Sequence, residues 1–350
     1  MSAPTIAVDL AKSVFELARA GRAGTIRERR RLSRLQFERF WARRTPCRVV
    51  MEACGSAHFW ARFLRARGHT VVLLPPHYVK PYRRRNKTDR VDCEALLEAD
   101  RCAGIHPVAI KSEDQQALLA LHRVRSQWLA SRTARINLMR GLLREFGVVA
   151  PAGAQRFMND LHALLENQRD RLPERVSRTL RSLWDEVRDL EQRCDAVEGE
   201  LQSVAEREAV VQTLMQIPGI GLLTATALFA TVADIHAFQS GRQLACWLGL
   251  TPREFSSGSR RRLGRISKQG DAYVRMLLIH GARAALNAAR RRAGTDKPLS
   301  QLQAWAARRA EGGHPNKAVV ALANKLARIA WAVWYHERTF DGDHVVRVAA

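Results

Sequence analysis

No stretch of the chain approaches the roughly 18–20 consecutive apolar residues that cross a bilayer. The longest candidate, LLTATALFATVA, is too short. The opening MSAPTIAVDLAK holds neither a basic stretch followed by an apolar one nor a lipidation signal, so secretion and membrane anchoring are not expected. Cysteine is sparse and scattered: Cys47, Cys54, Cys93, Cys102, Cys194 and Cys246 form no CxxC and have no histidine at zinc-ligand spacing. This pattern points to reduced, structural thiols in a cytoplasmic protein and gives no zinc site. No internal repeat is visible either. Acids are outnumbered, with 34 Asp and Glu against 58 Lys and Arg, a formal net charge of +24. A field of that sign gathers polyanions, and nucleic acid is the commonest such partner.

What is present is ordinary globular material. Over 350 residues the chain is 46% hydrophobic and 26% charged, enough for two domains with cores of their own. The first part alternates strand and helix. Strands are expected at Thr5–Asp9, Ser13–Ala18, Arg48–Glu52 and Thr70–Leu74, and helices at Leu32–Arg43 and Ser56–Arg67. Such alternation is that of an α/β domain with partly parallel strands. One long helix is predicted from Asp114 to Glu145. Leu172 to Val211 carries Leu180, Leu183, Val187, Leu190 and Cys194 at helical spacing, as a helical hairpin or a coiled coil would. Further on, Ile217-Pro218-Gly219-Ile220-Gly221 between two helical patterns reads as the turn of a helix-hairpin-helix, where glycine lets the backbone approach a phosphate. The last part is mainly α. Boundaries are expected at 1–112, 113–210, 211–340 and a tail at 341–350.

The acids stand out against so basic a background. Asp9 and Glu52 close apolar strands, and the carboxyl ends of parallel strands line the ligand crevice of an α/β sheet. In KTDRVDCEAL, Asp89 and Asp92 lie about one helical turn apart and share a face. Four carboxylates brought together repel unless a cation lies between them, and hard oxygen ligands suit Mg²⁺ or Mn²⁺. Two such ions could clamp a phosphodiester. The basic run just before them, with Arg83, Arg84, Arg85 and Lys87, would guide a phosphate towards that site.

Asp9 within IAVDLAK, Glu52 within MEACG and the pair within KTDRVD resemble the RNase H-like (RuvC-like) DEDD domain of insertion-sequence transposases related to Piv-type DNA invertases. CWLGLTPREFSSG followed by RRLGRISKQGD is similar to the C-terminal transposase domain of that family, and the helices between resemble its coiled coil. The resemblance implies a recombinase guided by a structured bridge RNA, acting on donor and target double-stranded DNA as a homodimer or homotetramer beside the nucleoid. It also implies that Asp9, Glu52, Asp89 and Asp92 are catalytic metal ligands and that Ser257 is the nucleophile.

Read from its residues alone, Ser256-Ser257-Gly258 is most simply a turn, with Ser256 the fallback nucleophile. Around it lie Arg253, Arg260, Arg261, Arg262, Arg265 and Lys268, cations able to neutralise a phosphate under attack. The resemblance implies a phosphoserine link and a free 3′-hydroxyl, then strand exchange and religation. Three other readings use the same residues differently. A metal-dependent, Holliday-junction-type nuclease would use the acids with water. A tyrosine recombinase would use His280, Arg283 and Tyr335. A non-catalytic RNA-binding protein would explain the charge without the strand-end acids.

Overall fold

The computed structural model describes residues 4–21, 24–83, 88–295, 298–311 and 314–343. Residues up to Glu113 form one compact unit and those from Asp114 a second. In the first, β1 (Thr5–Leu10), β2 (Val14–Ala20) and β3 (Ile26–Ser33) make an antiparallel meander. Two parallel strands, β4 (Arg48–Glu52) and β5 (Thr70–Leu74), extend it on the β1 side, giving the order β3-β2-β1-β4-β5.

Alternation along the strands divides the sheet's residues between two cores. Ile6, Val8, Phe15, Leu17, Val49 and Met51 face one side. There α1 (Arg34–Ala42) and α2 (Ala57–Arg65) bring Phe37, Trp41 and Trp60 against them. Ala7, Ala18 and Val50 face the other side, where they meet Cys93, Ala95, Leu96 and Ala99 of α4 (Asp89–Asp100). A short helix, α3 (Pro76–Val79), lies between β5 and α4.

Strand β3 is absent from the sequence reading. Its residues, IRERRRLS, hide a period of two because arginine stands at half the positions of a solvated edge strand, on both faces. The first helix also begins later than expected. Ser33 and Gln36 form a capping box that starts α1 at Arg34 rather than Leu32.

The second unit opens with α5 (Glu113–Glu145), α6 (Ala154–Asn167) and α7 (Glu174–Arg207). The stretch expected to be a hairpin or coiled coil is one helix of 34 residues, which runs back along α5 of its own chain. Ion pairs Arg125–Glu198, Arg132–Glu191 and Arg135–Glu186 step in opposite directions along the two helices, as antiparallel neighbours require. Leu180 and Val187 pack with Ile136, Met139 and Leu143, so this part of the apolar stripe is covered within the chain.

Beyond it come α8 (Ala209–Met215), α9 (Leu222–Val232), α10 (Gly241–Trp247), the hairpin β6 (Pro252–Glu254) and β7 (Leu263–Ile266), then α11 (Ala272–Ala293), α12 (Gln301–Glu311) and α13 (Pro315–Tyr335). In the Pro-Gly-Ile-Gly turn, Gly219 has φ +92°, and a Cβ there would lie 2.7 Å from the carbonyl oxygen of Gly281 in α11. Glycine is thus required for a backbone-to-backbone approach inside the helical core. The need at Gly219 is internal, whereas a Cβ at Gly221 of the same turn would meet nothing within 4 Å. Among the described residues no helix is long and apolar enough to cross a membrane.

Candidate active site

The acids of the first unit are assembled by strand register and one helix cap. β1 and β4 are parallel, pairing Thr5 with Arg48 through Val8 with Met51. One step further, Asp9 and Glu52 stand level on neighbouring strands. Each is two residues from an alanine or valine of the α4-facing core (Ala7, Val50), so each belongs to that side of the sheet. The hydroxyl oxygen of Thr88 accepts the amide of Val91 at 3.4 Å and starts α4. Asp89 and Asp92 then fall in its first turn, where the helix dipole favours negative charge. Asp92 heads the buried stripe of α4 that continues through Leu96 and Ala99, whereas Asp89 is exposed.

Arg83 lies between the acids. Its Nη2 donates to Oε2 of Glu52 at 2.6 Å, and its Nε lies 2.8 Å from Oδ1 of Asp92. The second contact has ion-pair distance but not hydrogen-bond alignment, so both of those buried atoms lack a hydrogen bond. This arginine, expected to guide a phosphate, is occupied as the counter-charge of two acids. Asp9 makes no ion pair among the described residues. Burial, then the charges of Asp92, Asp89 and Glu52, push its carboxyl up to about 6, only partly countered by Arg83.

Among the described residues no three histidine, cysteine or acidic side chains are already arranged around a metal. Arg84, Arg85 and Lys87 lie outside the described residues.

A fifth carboxylate escaped the sequence reading. Glu16 is the cross-strand partner of Asp9 and only 7% exposed. Alternation in VFELARA carries the signal, because Glu16 shares a face with Ala18. Its own partner across the sheet on β3 is Arg31. Glu16, Thr88 and Asp89 line a pocket of about 430 Å³ with Arg29, Arg30 and Arg31 of β3.

The serines lie in the second unit. Phe255 N–H donates to Arg262 O at 2.8 Å, and Ser257 and Arg260 exchange backbone hydrogen bonds of 3.1 and 3.2 Å around Gly258-Ser259. Gly258 has φ +54° at the first central position of this turn, where a primed hairpin turn calls for glycine. The two hydroxyls are unlike. Ser256 Oγ donates to Glu254 Oε1 at 2.7 Å and accepts the amide of Arg262 at 3.1 Å. Ser257 is exposed, and its hydroxyl has no partner among the described residues.

Arg261 pairs with Glu254, and Arg253 donates to the carbonyl of Ser267. Arg260, Arg262, Arg265 and Lys268 make no ion pair among the described residues. Below this tip, buried Arg275 donates to the carbonyls of Leu248 and Gln269, which ties together the two ends of the hairpin.

Both regions fall within matches to known families. Residues 6–148 match the DEDD transposase family of the IS110 type, and residues 211–296 match the family described as Transposase IS116/IS110/IS902. A protein of Pseudomonas aeruginosa named "Probable family 20 transposase" is 43% identical over 97% of this chain and 99% of its own length. The transposase for insertion sequence element IS1111A of Coxiella burnetii is 40% identical over 96% of this chain and 90% of its own. That for IS1328 of Yersinia enterocolitica is 36% identical over 94% and 96%.

The chain belongs to the IS110/IS116 family of insertion-sequence transposases. It is accordingly a DNA transposase, with its four candidate acids inside the first matched region and Ser257 inside the second. DEDD transposases usually use a divalent metal. The chemistry of this transposase's acids fits such an ion. Asp9 is a partly buried carboxylate among like charges, and Asp92 Oδ1 is buried without a hydrogen bond. Both are conditions that a cation relieves.

Proposed function

We propose that this transposase is an RNA-guided DNA recombinase in which Ser257 is the nucleophile and the acids of the first unit serve it with a divalent cation. The observation that carries the reading is the contrast between two adjacent hydroxyls: Ser256 is engaged by Glu254 and Arg262, while Ser257 is exposed and unengaged among the described residues. An alcohol attacks a phosphodiester only when the phosphate's charge is neutralised, and Arg260, Arg262, Arg265 and Lys268, without an ion pair among the described residues, lie on or just after the same hairpin. Oγ of Ser257 bonds to phosphorus, the bond from phosphorus to the 3′ oxygen breaks, and the serine proton ends on the departing 3′-hydroxyl. The ester keeps the strand attached to protein, so reversal onto an exchanged 3′-hydroxyl reseals the DNA without hydrolysis.

A Mg²⁺ or Mn²⁺ ion held by Asp9, Glu52, Asp89 and Asp92 would supply Lewis-acid activation and charge neutralisation. The pocket beside Asp89 offers carboxylates for a cation and β3 arginines for a phosphodiester. The strand order, with acids at the ends of β1 and β4, supports an RNase H-like (RuvC-like) assignment for the first unit. Guidance by a structured RNA is supported by the net charge of +24 and by cations suited to phosphates, which leaves sequence choice to base pairing. Synapsis of donor and target duplexes favours a homodimer or homotetramer.

A suicide substrate tests the chemistry. Wild-type protein forms a covalent DNA adduct that Ser257→Ala abolishes and Tyr335→Phe leaves intact. Asp92→Ala loses cleavage by at least about two orders of magnitude yet retains copurified RNA. Adduct in Ser257→Ala removes the serine from its role, and cleavage with no adduct at any stage makes water the nucleophile. RNA-free protein that recombines DNA unaided ends the guidance.

A further inference from the structure

The second unit holds a pocket of about 870 Å³ walled by α10, α12, α13 and the segment after α13. Five cationic side chains line it, Arg242, Arg308, Lys325, Arg328 and Arg338, against one carboxylate, Asp341. They come from four separate segments, and none makes an ion pair among the described residues. Arg242, Arg308, Arg328 and Arg338 are exposed and repel only weakly in water, but with Lys325 they make a field that attracts an anion. Lys325 registers the repulsion. Burial, then the charge of Arg328, lowers its pKa, and its ammonium rests 4.4 Å from the centroid of the Trp305 ring. Lys325 and Arg328 are three residues apart on α13 and so are neighbours on its surface.

The wall is also aromatic. Trp305 and Trp331 both line the pocket and are half-buried. Trp331 is held rigidly, with its indole N–H on the carbonyl of Phe238 at 3.0 Å and Tyr335 stacked at 4.7 Å. A simple phosphate would need the cations but not the tryptophans, and an apolar ligand would need the tryptophans but not the cations. An unpaired nucleotide of a nucleic-acid strand uses both, with its phosphate on Lys325 and Arg328 and its base against indole. The volume lies within the about 300–1,000 Å³ of small-ligand pockets.

We infer that the pocket lined by Trp305, Trp331, Lys325 and Arg328 binds an unpaired nucleotide of a single-stranded nucleic-acid segment. The site is independent of the serine chemistry, and Ser257→Ala protein binds the same strand equally well. The probe is a hexamer of deoxythymidylate or of uridylate, compared with an abasic hexamer bearing the same phosphates, with affinity read by fluorescence anisotropy. Intact hexamer binds at least about tenfold more tightly than abasic hexamer. Trp305→Leu, which keeps apolar packing, brings the intact strand down to the abasic level, and Arg308→Gln, on an exposed side chain, weakens both strands alike. The stronger of the DNA and RNA hexamers identifies which strand the pocket takes. Equal binding of intact and abasic hexamers would overturn the inference, as would an unchanged base preference in Trp305→Leu protein that remains folded.

Discussion

At the start of α4, carboxylates crowd together and two of them, Glu52 and Asp92, share Arg83; on the β6–β7 hairpin, arginines crowd together and, among the described residues, only Arg261 pairs with a carboxylate, Glu254. The two regions also differ in burial. Asp92 is 7% exposed and Asp9 is partly buried, whereas the residues from Arg253 to Arg265 are exposed. The first region therefore carries an electrostatic penalty inside the protein that a cation would relieve. The second keeps its charges in water, where they repel weakly until a phosphate arrives. Stability should respond to changes in the acid region, and nucleic-acid chemistry to changes in the hairpin.

The largest stability effect is expected from Arg83→Gln. The substitution leaves Glu52 and Asp92 without their shared counter-charge. Removing one partner of a fully buried pair costs about 3–5 kcal/mol, and less where, as here, the side chains keep some exposure, so about 2 kcal/mol is expected. Denaturant unfolding in a chelator measures it. Mg²⁺ should then stabilise the variant more than the wild type, because the cation takes over the arginine's electrostatic work. A variant as stable as wild type, with the same response to Mg²⁺, would mean that the acids need no cation.

How far the sequence foretells this contrast differs between the two regions. The level placement of Asp9 and Glu52 is legible because each closes an apolar strand, and alternation then fixes their face. The spacing of Asp89 and Asp92 is legible as one helical turn. Glu16 and β3 are harder to read, because the arginines of β3 mask its period and the alternation of VFELARA sets Glu16 beside Asp9 only once β2 is paired with β1. Arg83 reads as one of a basic run, and only the return of the chain after β5 aims it inward. In the Pro-Gly-Ile-Gly turn the sequence shows the glycines but not the approach of α11 that Gly219 serves. In the hairpin, a Ser-Ser-Gly loop alone is a turn. The resemblance singles out Ser257, and the hydrogen bonds of Ser256 supply a physical difference between the two serines that the sequence does not show.

A smaller effect is expected from Asp9→Asn, and its sign depends on pH. Burial and like charges raise the folded-state value from 3.8 to about 6, so the folded protein holds this proton more tightly than the unfolded chain. The stabilisation from that proton is complete below about pH 4 and lost as pH rises through about 6. Above that, wild type carries an unrelieved charge that asparagine lacks. Metal-free Asp9→Asn should thus match wild type near pH 4 and exceed it by about 1–2 kcal/mol at pH 7.5, a figure reduced for solvent screening of a partly exposed group. Mg²⁺ should close the gap by stabilising wild type alone. A gain that is the same at both pH values would trace to packing and not to charge.

The smallest effect on stability, and the sharpest on the comparison, is expected from Ser256→Ala. Its hydroxyl bridges Glu254 and the amide of Arg262 across the hairpin. Both partners are exposed, so water replaces the lost bonds and the change in unfolding free energy stays below about 1 kcal/mol. The melting temperature should barely move, while amide exchange at Arg262 quickens because the tip loosens. Adduct formation should fall by less than about tenfold, since a looser tip misplaces Ser257 without removing its hydroxyl. If Ser256→Ala instead abolished the adduct while Ser257→Ala retained it, the bridged hydroxyl would be the nucleophile. Its contact with Glu254 at 2.7 Å would then be that of an alcohol with its base, not a structural tie.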